Sequence, residues 1–127
     1  IGNPQLSEVI TKMLAEGQSI SQSKYEEALI IRDSLTEFFD NFFEDFDAIL
    51  SPSSSGEAPP LNEGHTGNPI FCTVWTLAGL PSLNLPILQG DNGLPIGLQM
   101  IGRRRDDARL LRTARWFMTA LFDEGES

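Results

Sequence analysis

The stretch TGNPIFCTVWTLAGLPSLNLPILQGDNGLPIGLQMIG, residues 66–102, contains the local signals that decide the fold. Asn68 can cap a helix with its side chain, and Pro69 suits the first helical position because it has no N–H group to leave unpaired. Gly79 tolerates the left-handed conformation in which helices commonly end. These signals predict a helix over 69–78.

Strands are predicted on both sides of this helix. Residues 82–85 form a short apolar run, and a turn-rich segment at 89–93 leads into a second apolar strand over 96–101, so a hairpin is expected. An earlier apolar run at 48–50 can connect through the helix to 82–85 in a right-handed parallel β-α-β crossover. The predicted fold class is α/β, with a partial mixed sheet of about three strands, built from this crossover and the hairpin and packed by helices.

The predicted helix has two faces, one to pack on the sheet and one that can look into a cavity. We place Cys72, Trp75 and Thr76 on one face, and on the other Phe71, Val74 and Ala78. The single cysteine is expected to be a buried, unreactive thiol, because buried cysteine usually behaves as a small apolar side chain.

Two amphipathic helices are predicted before the first strand. The first, over 1–17, would be capped by Asn3. The second, over 24–46, would begin at a capping box of Ser23 and Glu26. Aromatic residues at helical spacing usually form a core stripe, so we expect the phenylalanines of this helix to pack in the core: Phe38, Phe39, Phe42 and Phe46.

A last amphipathic helix is predicted over 106–122, with Asp106 and Asp107 favourably placed at its start. The arginines near it could bind phosphate or nucleic acid. They fall mainly on the side opposite the apolar repeat, and the chain has a net charge of −9, so a solvated helix face is favoured and no nucleic-acid partner is predicted. These residues are Arg103, Arg104, Arg105, Arg109, Arg112 and Arg115.

The segment 52–68 is a long loop rich in Ser, Gly and Pro. Loops of this length are usually functional or disordered, and the sequence leaves open which applies. Its serines at 53–55 have no neighbouring base, and a triad built from Ser53, His65 and an aspartate would lack the GxSxG elbow that exposes a nucleophilic serine. A polar turn is the favoured interpretation.

Composition limits the remaining classes of function. A chain of 127 residues fits a single domain over 1–127, and no apolar run is long enough for a membrane span, so no membrane partner is predicted. One cysteine and one histidine cannot form an internal disulfide, a zinc site or a redox pair, which indicates no metal and a cytoplasmic location. Because residue 1 is Ile, we expect a trimmed or processed start.

From Tyr25 onward, an ordered set of motifs resembles the C-terminal part of the amidase signature enzymes. The motifs are FxxFD at 43–47, AILSP at 48–52, TGNPIF at 66–71, WTLAGLP at 75–81, LNLP at 83–86, GLPIGLQMIG at 93–102 and a terminal DDARLL helix. Each motif alone is weak, but their order and spacing are specific to this family. The chain is therefore interpreted as a C-terminal fragment of an amidase.

This resemblance implies a parent enzyme that hydrolyses carboxamide C–N bonds, or transfers the ammonia, with a Ser, cis-Ser and Lys triad and no cofactor. No part of this chain matches the Gly/Ser-rich segment that carries the triad, and its lysines, Lys12 and Lys24, lie on amphipathic helices. The fragment alone is expected to be inactive.

The resemblance also implies that the helix after TGNP lines the acyl side of the substrate pocket. The residues carried over as substrate-binding are Phe71, Cys72, Trp75 and Thr76. Amidotransferase members have a carboxylate near the start of this helix, where Pro69 stands here, so an apolar or aromatic acyl group is expected on a small amide. Core packing of these side chains is the alternative.

A different class of function stays open. The chain could be a stand-alone interaction or oligomerisation module, since a three-stranded sheet would leave edges and apolar faces exposed. A homo-oligomer is compatible with this alternative.

Overall fold

The computed structural model describes residues 6–64 and 66–123. The chain divides into two compact units, residues 1–34 and 35–127. The elements in chain order are α1 (Glu8–Gln18), α2 (Gln22–Asp45), β1 (Ile49–Pro52), a 3-10 turn (Leu61–Glu63), α3 (Ile70–Ala78), β2 (Ser82–Gln89), β3 (Pro95–Ile101) and α4 (Asp107–Asp123).

The first unit contains α1 and the beginning of α2. Ser7 caps α1, because its Oγ accepts a hydrogen bond from the Ile10 N–H at 3.3 Å. The predicted cap Asn3 lies outside the described residues. No side chain of α1 is buried. Its apolar face is therefore solvent-exposed.

The start of α2 differs from the predicted capping box. Ser21 Oγ accepts from the Lys24 N–H at 3.4 Å, so the cap lies two residues before Ser23. Glu26 does not reach back to the cap and accepts instead from the Gln22 side chain at 2.9 Å. The predicted box is wrong because α2 begins earlier, at Gln22.

The second unit is built on a three-stranded sheet with the order β1-β3-β2. The α/β class, the three strands and the β2–β3 hairpin are confirmed. The predicted mixed pairing is wrong, because β3 lies between β1 and β2 and pairs antiparallel with both. Strands β1 and β2 still run in the same direction, but the sheet is antiparallel rather than mixed.

The central place of β3 agrees with its burial. Its C-terminal residues Gln99, Met100 and Ile101 are all buried, whereas the outer strands are only partly covered. Strand β2 continues past Pro86 to Gln89, with an irregular register between Leu85 and Leu88. Proline cannot donate to a strand ladder, so an interruption at this point is expected.

The sheet separates two apolar clusters. Successive strand residues point to opposite faces, and Ile101 and Met100 accordingly belong to different clusters. Ile101 packs with α2 and α3 residues, among them Phe39, Phe43 and Ala78. Met100 packs with Leu85 and with two residues of α4, Leu110 and Ala114. Helices therefore cover both faces of the sheet.

Only part of the predicted phenylalanine stripe lies in the core. Phe39 is buried as predicted and Phe42 is half-buried, but Phe38 and Phe46 are exposed. The core-facing stripe of α2 passes through Phe43, which leaves Phe38 and Phe46 beyond its edge. Their rings instead stack on Phe42, with centroids 6.3 and 4.5 Å away.

Charge pairs join the segment around the start of α4 to the segment around the end of α2. Asp106 caps α4 by accepting from the Arg109 N–H at 3.2 Å. Arg104 binds Asp40 and Arg109 binds Asp47, each with a closest N–O distance of 2.6 Å. The hydrogen bond that Arg104 donates to the Asp40 carboxylate raises the pKa of Arg104. Two of the predicted solvated arginines therefore have carboxylate partners.

No helix among residues 6–64 and 66–123 combines the length and apolar character that crossing a membrane requires.

Candidate functional site

A groove of about 490 Å³ lies between the long loop, the start of α3 and the beginning of β3. Residues 53–59 form one wall, and residues 66–69 with Cys72 form another. Pro95 and Gly97 of β3 also line it. The loop that the sequence left unassigned therefore shapes the largest part of this groove.

One end of the loop is anchored to β3 by Ser53. Its N–H and its Oγ both donate to the Gly97 carbonyl at 2.9 Å. A Cβ at position 97 would overlap the Asn84 Oδ1 and the Ser53 Oγ. Glycine is needed here because three segments approach one another closely at this point.

The serines of the loop are not arranged as nucleophiles. Ser53 donates to Gly97, and Ser54 Oγ donates to the Gly56 carbonyl at 2.6 Å. His65, the base of the rejected triad, lies outside the described residues. Lys12 is exposed in the first unit, 3.9 Å from Glu16. Nothing in the described part of the chain pairs a loop serine with a base, so no loop serine is activated as a nucleophile by a described residue.

Two of the predicted substrate-binding residues, Cys72 and Thr76, lie on the exposed side of α3. Cys72 lines the groove, and its Sγ donates to the Ser53 carbonyl at 3.8 Å. Thr76 lines an adjoining depression of about 400 Å³ that shares Pro69 and Cys72 with the groove. The prediction of a buried thiol is wrong, because Cys72 faces away from the sheet.

The other two predicted residues, Phe71 and Trp75, are half-buried on the opposite side of α3. The Trp75 ring packs edge-on against Phe39, with centroids 5.5 Å apart. Its Nε1 is buried and has no hydrogen-bond partner among the described residues. Trp75 therefore shares a face with the buried Ala78, and not with Cys72 as the sequence predicts.

Gln99 supports the groove from within the sheet, and the sequence did not predict this role. Its side chain is buried on β3, where Nε2 donates to the carbonyls of Pro52 at 3.0 Å and Phe71 at 2.6 Å. Its Oε1 accepts from the Ser82 hydroxyl at 3.1 Å. One amide thus ties β1, β2 and the first turn of α3 to β3. The available signal was a lone glutamine within the apolar run GLQMIG.

Glu57 is a second missed residue, on the wall of the groove. Its carboxylate accepts hydrogen bonds from the turn that joins β2 and β3, at Asn92 and Leu94. The Asn92 side chain is the main cause of a lowered pKa at Glu57, with further lowering by both backbone N–H groups.

Comparison with known families identifies the chain. A family model described as Amidase matches residues 1–111. The chain belongs to the amidase family. The resemblance read from its motifs is thereby confirmed, and this amidase chain can be compared with individual relatives.

Curated relatives of this amidase chain include amidotransferase proteins. A glutamyl-tRNA(Gln) amidotransferase subunit of Brevibacillus brevis is 37% identical over 97 residues, which cover 71% of this chain and 20% of that protein. The corresponding mitochondrial protein from Mus musculus is 37% identical over 97 residues, covering 70% and 18%. The chain therefore spans about a fifth of the length of these relatives.

Solved structures share the fold of this amidase chain. A crystal structure of an amidase superposes with a TM-score of 0.75 at 27% identity, covering 91% of this chain and 29% of the other. A bacterial aryl acylamidase of the amidase signature family superposes with a TM-score of 0.59 at 23% identity, covering 83% and 24%. The second comparison supports the fold alone.

Proposed function

We propose that this chain forms one wall of the acyl pocket of an enzyme that hydrolyses carboxamide C–N bonds. The observation that carries the proposal is the groove at the start of α3, in a chain of the amidase family. Cys72 and Thr76 would contact the acyl group, because both are exposed along this side of α3. Phe71 and Trp75 would support the wall from behind.

The lining favours a neutral acyl group. Glu57 is the only charged side chain among the described lining residues, and its carboxylate is engaged by the hairpin turn. Neither lysine nor arginine lines the groove in the described part of the chain, so a substrate carboxylate would lack a counter-charge. A small amide with an apolar or aromatic acyl group fits better than an amino-acid substrate.

The proposal also states that the isolated chain does not catalyse amide hydrolysis. Amide hydrolysis needs a nucleophile, a base and donors for the oxyanion around one carbonyl carbon. Ser53 and Ser54 donate to backbone carbonyls instead. The remainder of the parent would supply the reacting groups, and no metal or organic cofactor is included in the proposal.

We expect the purified chain to release ammonia from benzamide no faster than buffer does. The physical reason is the lack of a serine–base pair described above. Ammonia release is measured with a coupled assay before and after a second purification. Turnover that survives repurification and disappears in Ser54→Ala would contradict the proposed silence.

We expect benzamide to protect Cys72 from alkylation by iodoacetamide. Cys72 is the only cysteine of the chain and lines the groove, so its alkylation rate reports occupancy of the groove. Saturating benzamide should slow the reaction several-fold, as followed by mass spectrometry. Benzoate is the control and should protect Cys72 much less, because its carboxylate would meet no lysine or arginine among the described lining residues of the groove. Absence of protection by benzamide would overturn the assignment of the groove.

No observation on the described residues favours an interaction module over the acyl-pocket proposal. The row Phe38, Phe42 and Phe46 and the outer strands β1 and β2 fit self-association, but they fit contact with the remainder of a longer parent equally well. A homo-oligomer and a cytoplasmic location both stay predictions. The proposed partner is the small amide.

A further inference from the structure

We propose that Glu57 is a positioning residue that latches the groove wall, residues 53–59, onto the β2–β3 turn, residues 90–94. The latch itself is a property of the described structure. Its importance for ligand binding rests on the proposed function of the groove, and the experiments below separate the two.

One carboxylate makes all the contacts of the latch. Glu57 Oε1 accepts from the backbone N–H of Asn92 at 2.9 Å and from that of Leu94 at 3.2 Å. Its Oε2 accepts from Asn92 Nδ2 at 2.8 Å. The donors lie 35 and 37 residues further along the chain, so these bonds join two segments that the local sequence does not hold together.

The turn is shaped to receive this side chain. Gly90 donates its N–H to the Leu94 carbonyl, and Gly93 donates to the Gly90 carbonyl, both at 3.0 Å. These bonds close the turn and leave the N–H groups of Asn92 and Leu94 to Glu57. A Cβ at position 90 would overlap Cγ, Cδ and Oε1 of Glu57. Gly90 thus provides the space in which the latch lies.

The latch completes the support of the groove wall. Ser53 anchors the beginning of the wall to Gly97, and Ser54 braces it internally through the Gly56 carbonyl. Glu57 anchors the wall at its other end. Without the latch, the contacts described for this wall would be the Ser53 anchor, the Cys72 Sγ bond to the Ser53 carbonyl and the internal brace, and the width of the groove would no longer be fixed.

The latch should respond to acid. Hydrogen bonds, above all from the Asn92 side chain, lower the pKa of Glu57, because they stabilise the ionised carboxylate. Its contribution is therefore complete above the ordinary glutamate pKa of about 4.3 and is lost as the pH falls below it. Glu57 and the β2–β3 turn line a separate depression of about 410 Å³, and Asp91 is the other titratable side chain among its described lining residues. Its titration must be separated from that of Glu57.

The test measures amide protons of the latch by NMR in the full chain without ligand. We expect Glu57→Ala to remove the hydrogen-exchange protection of the Asn92 and Leu94 amides and to speed exchange across 54–59. Gly90→Ala should do the same while Glu57 is present, because the new Cβ displaces its carboxylate. In the double variant, the Asn92 and Leu94 amides should exchange no faster than in Glu57→Ala alone.

Controls make the outcome specific. Gly56→Ala lies on the same wall, where an added Cβ meets nothing within 4 Å, and should leave the Asn92 and Leu94 amides unchanged. Their amide shifts should titrate at acidic pH in the unmodified chain and in Asp91→Asn, but not in Glu57→Gln. The latch would be overturned if the Asn92 and Leu94 amides stayed protected in Glu57→Ala. It would also be overturned if the effects of Glu57→Ala and Gly90→Ala on exchange added up in the double variant.

Alkylation of Cys72 then separates the latch from the proposed function. We expect benzamide to protect Cys72 several-fold less in Glu57→Ala than in the unmodified chain. Equal protection in both would overturn the positioning role while leaving the acyl-pocket proposal standing. NMR could show the latch intact while benzamide fails to protect Cys72 in the unmodified chain. That result would overturn the acyl-pocket proposal and leave the latch standing.

Discussion

Replacing Phe43 with alanine is expected to lower the free energy of unfolding of the second unit by about 3–5 kcal/mol. The Phe43 side chain is 1% exposed and packs in the cluster with Phe39, Leu80 and Ile101. Removing its ring deletes apolar contacts and leaves a cavity between α2 and the sheet, which rigid neighbours only partly fill. Urea denaturation followed by circular dichroism measures the loss.

Phe46→Ala is the matched control, at the residue that directly follows α2. Its side chain is 53% exposed and stacks on Phe42 at 4.5 Å. Losing one exposed aromatic contact should cost no more than about 0.5–1.5 kcal/mol. Equal losses at positions 43 and 46 would contradict the described core and would indicate that the exposed row is also covered in solution.

The parts of the fold that the sequence predicts are governed by local chemistry. Asn68 Oδ1 accepts from the Ile70 N–H at 3.0 Å, and Gly79 ends α3 with a φ of 68°. Both features depend on residues within one turn of helix, which explains why a helix close to 69–78 is found. The hairpin is predicted for the same reason, because Gly93 has the positive φ of 81° that the turn requires.

The order of the strands could not be obtained in this way. A β-α-β crossover predicts that β1 and β2 run in one direction, and they do. It does not say whether another strand enters between them. That choice depends on how deeply each strand is buried, and β3 takes the central position with Met100 and Ile101 almost fully covered. Burial of this kind arises from contacts between distant residues.

The side of α2 that faces the core could not be predicted from the sequence either. Closely spaced phenylalanines between 38 and 46 are compatible with several helical stripes. The contacts with α3 and with Ile101 select the stripe through Phe39 and Phe43. Only the partner surface decides between stripes, so Phe43 was missed and Phe46 was wrongly included.

For the candidate site, the sequence predicted a helix that lines the groove but not the residues that hold this helix and the groove wall in place. The register of the TGNPIF motif led to Cys72 and Thr76, which lie along the groove side of α3. Glu57 and Gln99 act through partners at least 17 residues away. A glutamate in a polar loop has no local sign of such partners, and a lone glutamine in an apolar strand shows that a partner is needed but not which residue supplies it.

Gln99→Leu is expected to lower the free energy of unfolding by about 2–4 kcal/mol, because each buried polar group left without a partner costs about 1–3 kcal/mol. The side chain is 3% exposed and close in size to leucine, so the change removes hydrogen bonds while largely keeping the volume. The carbonyls of Pro52 and Phe71 would lose their Nε2 donor. Urea denaturation measures the loss.

Gln89→Leu is the matched control for this substitution. Gln89 lies on β2, is exposed, and donates one bond to the Gly93 carbonyl at 2.9 Å, so its loss should stay within about 0.5 kcal/mol, as is usual for surface changes. Gln99→Leu should also speed alkylation of Cys72, because the Phe71 carbonyl that Gln99 holds lies in the same first turn of α3. A loss below about 1 kcal/mol at position 99 would mean that water replaces the amide as donor to both carbonyls, and Gln99 would then not fix α3 to the sheet.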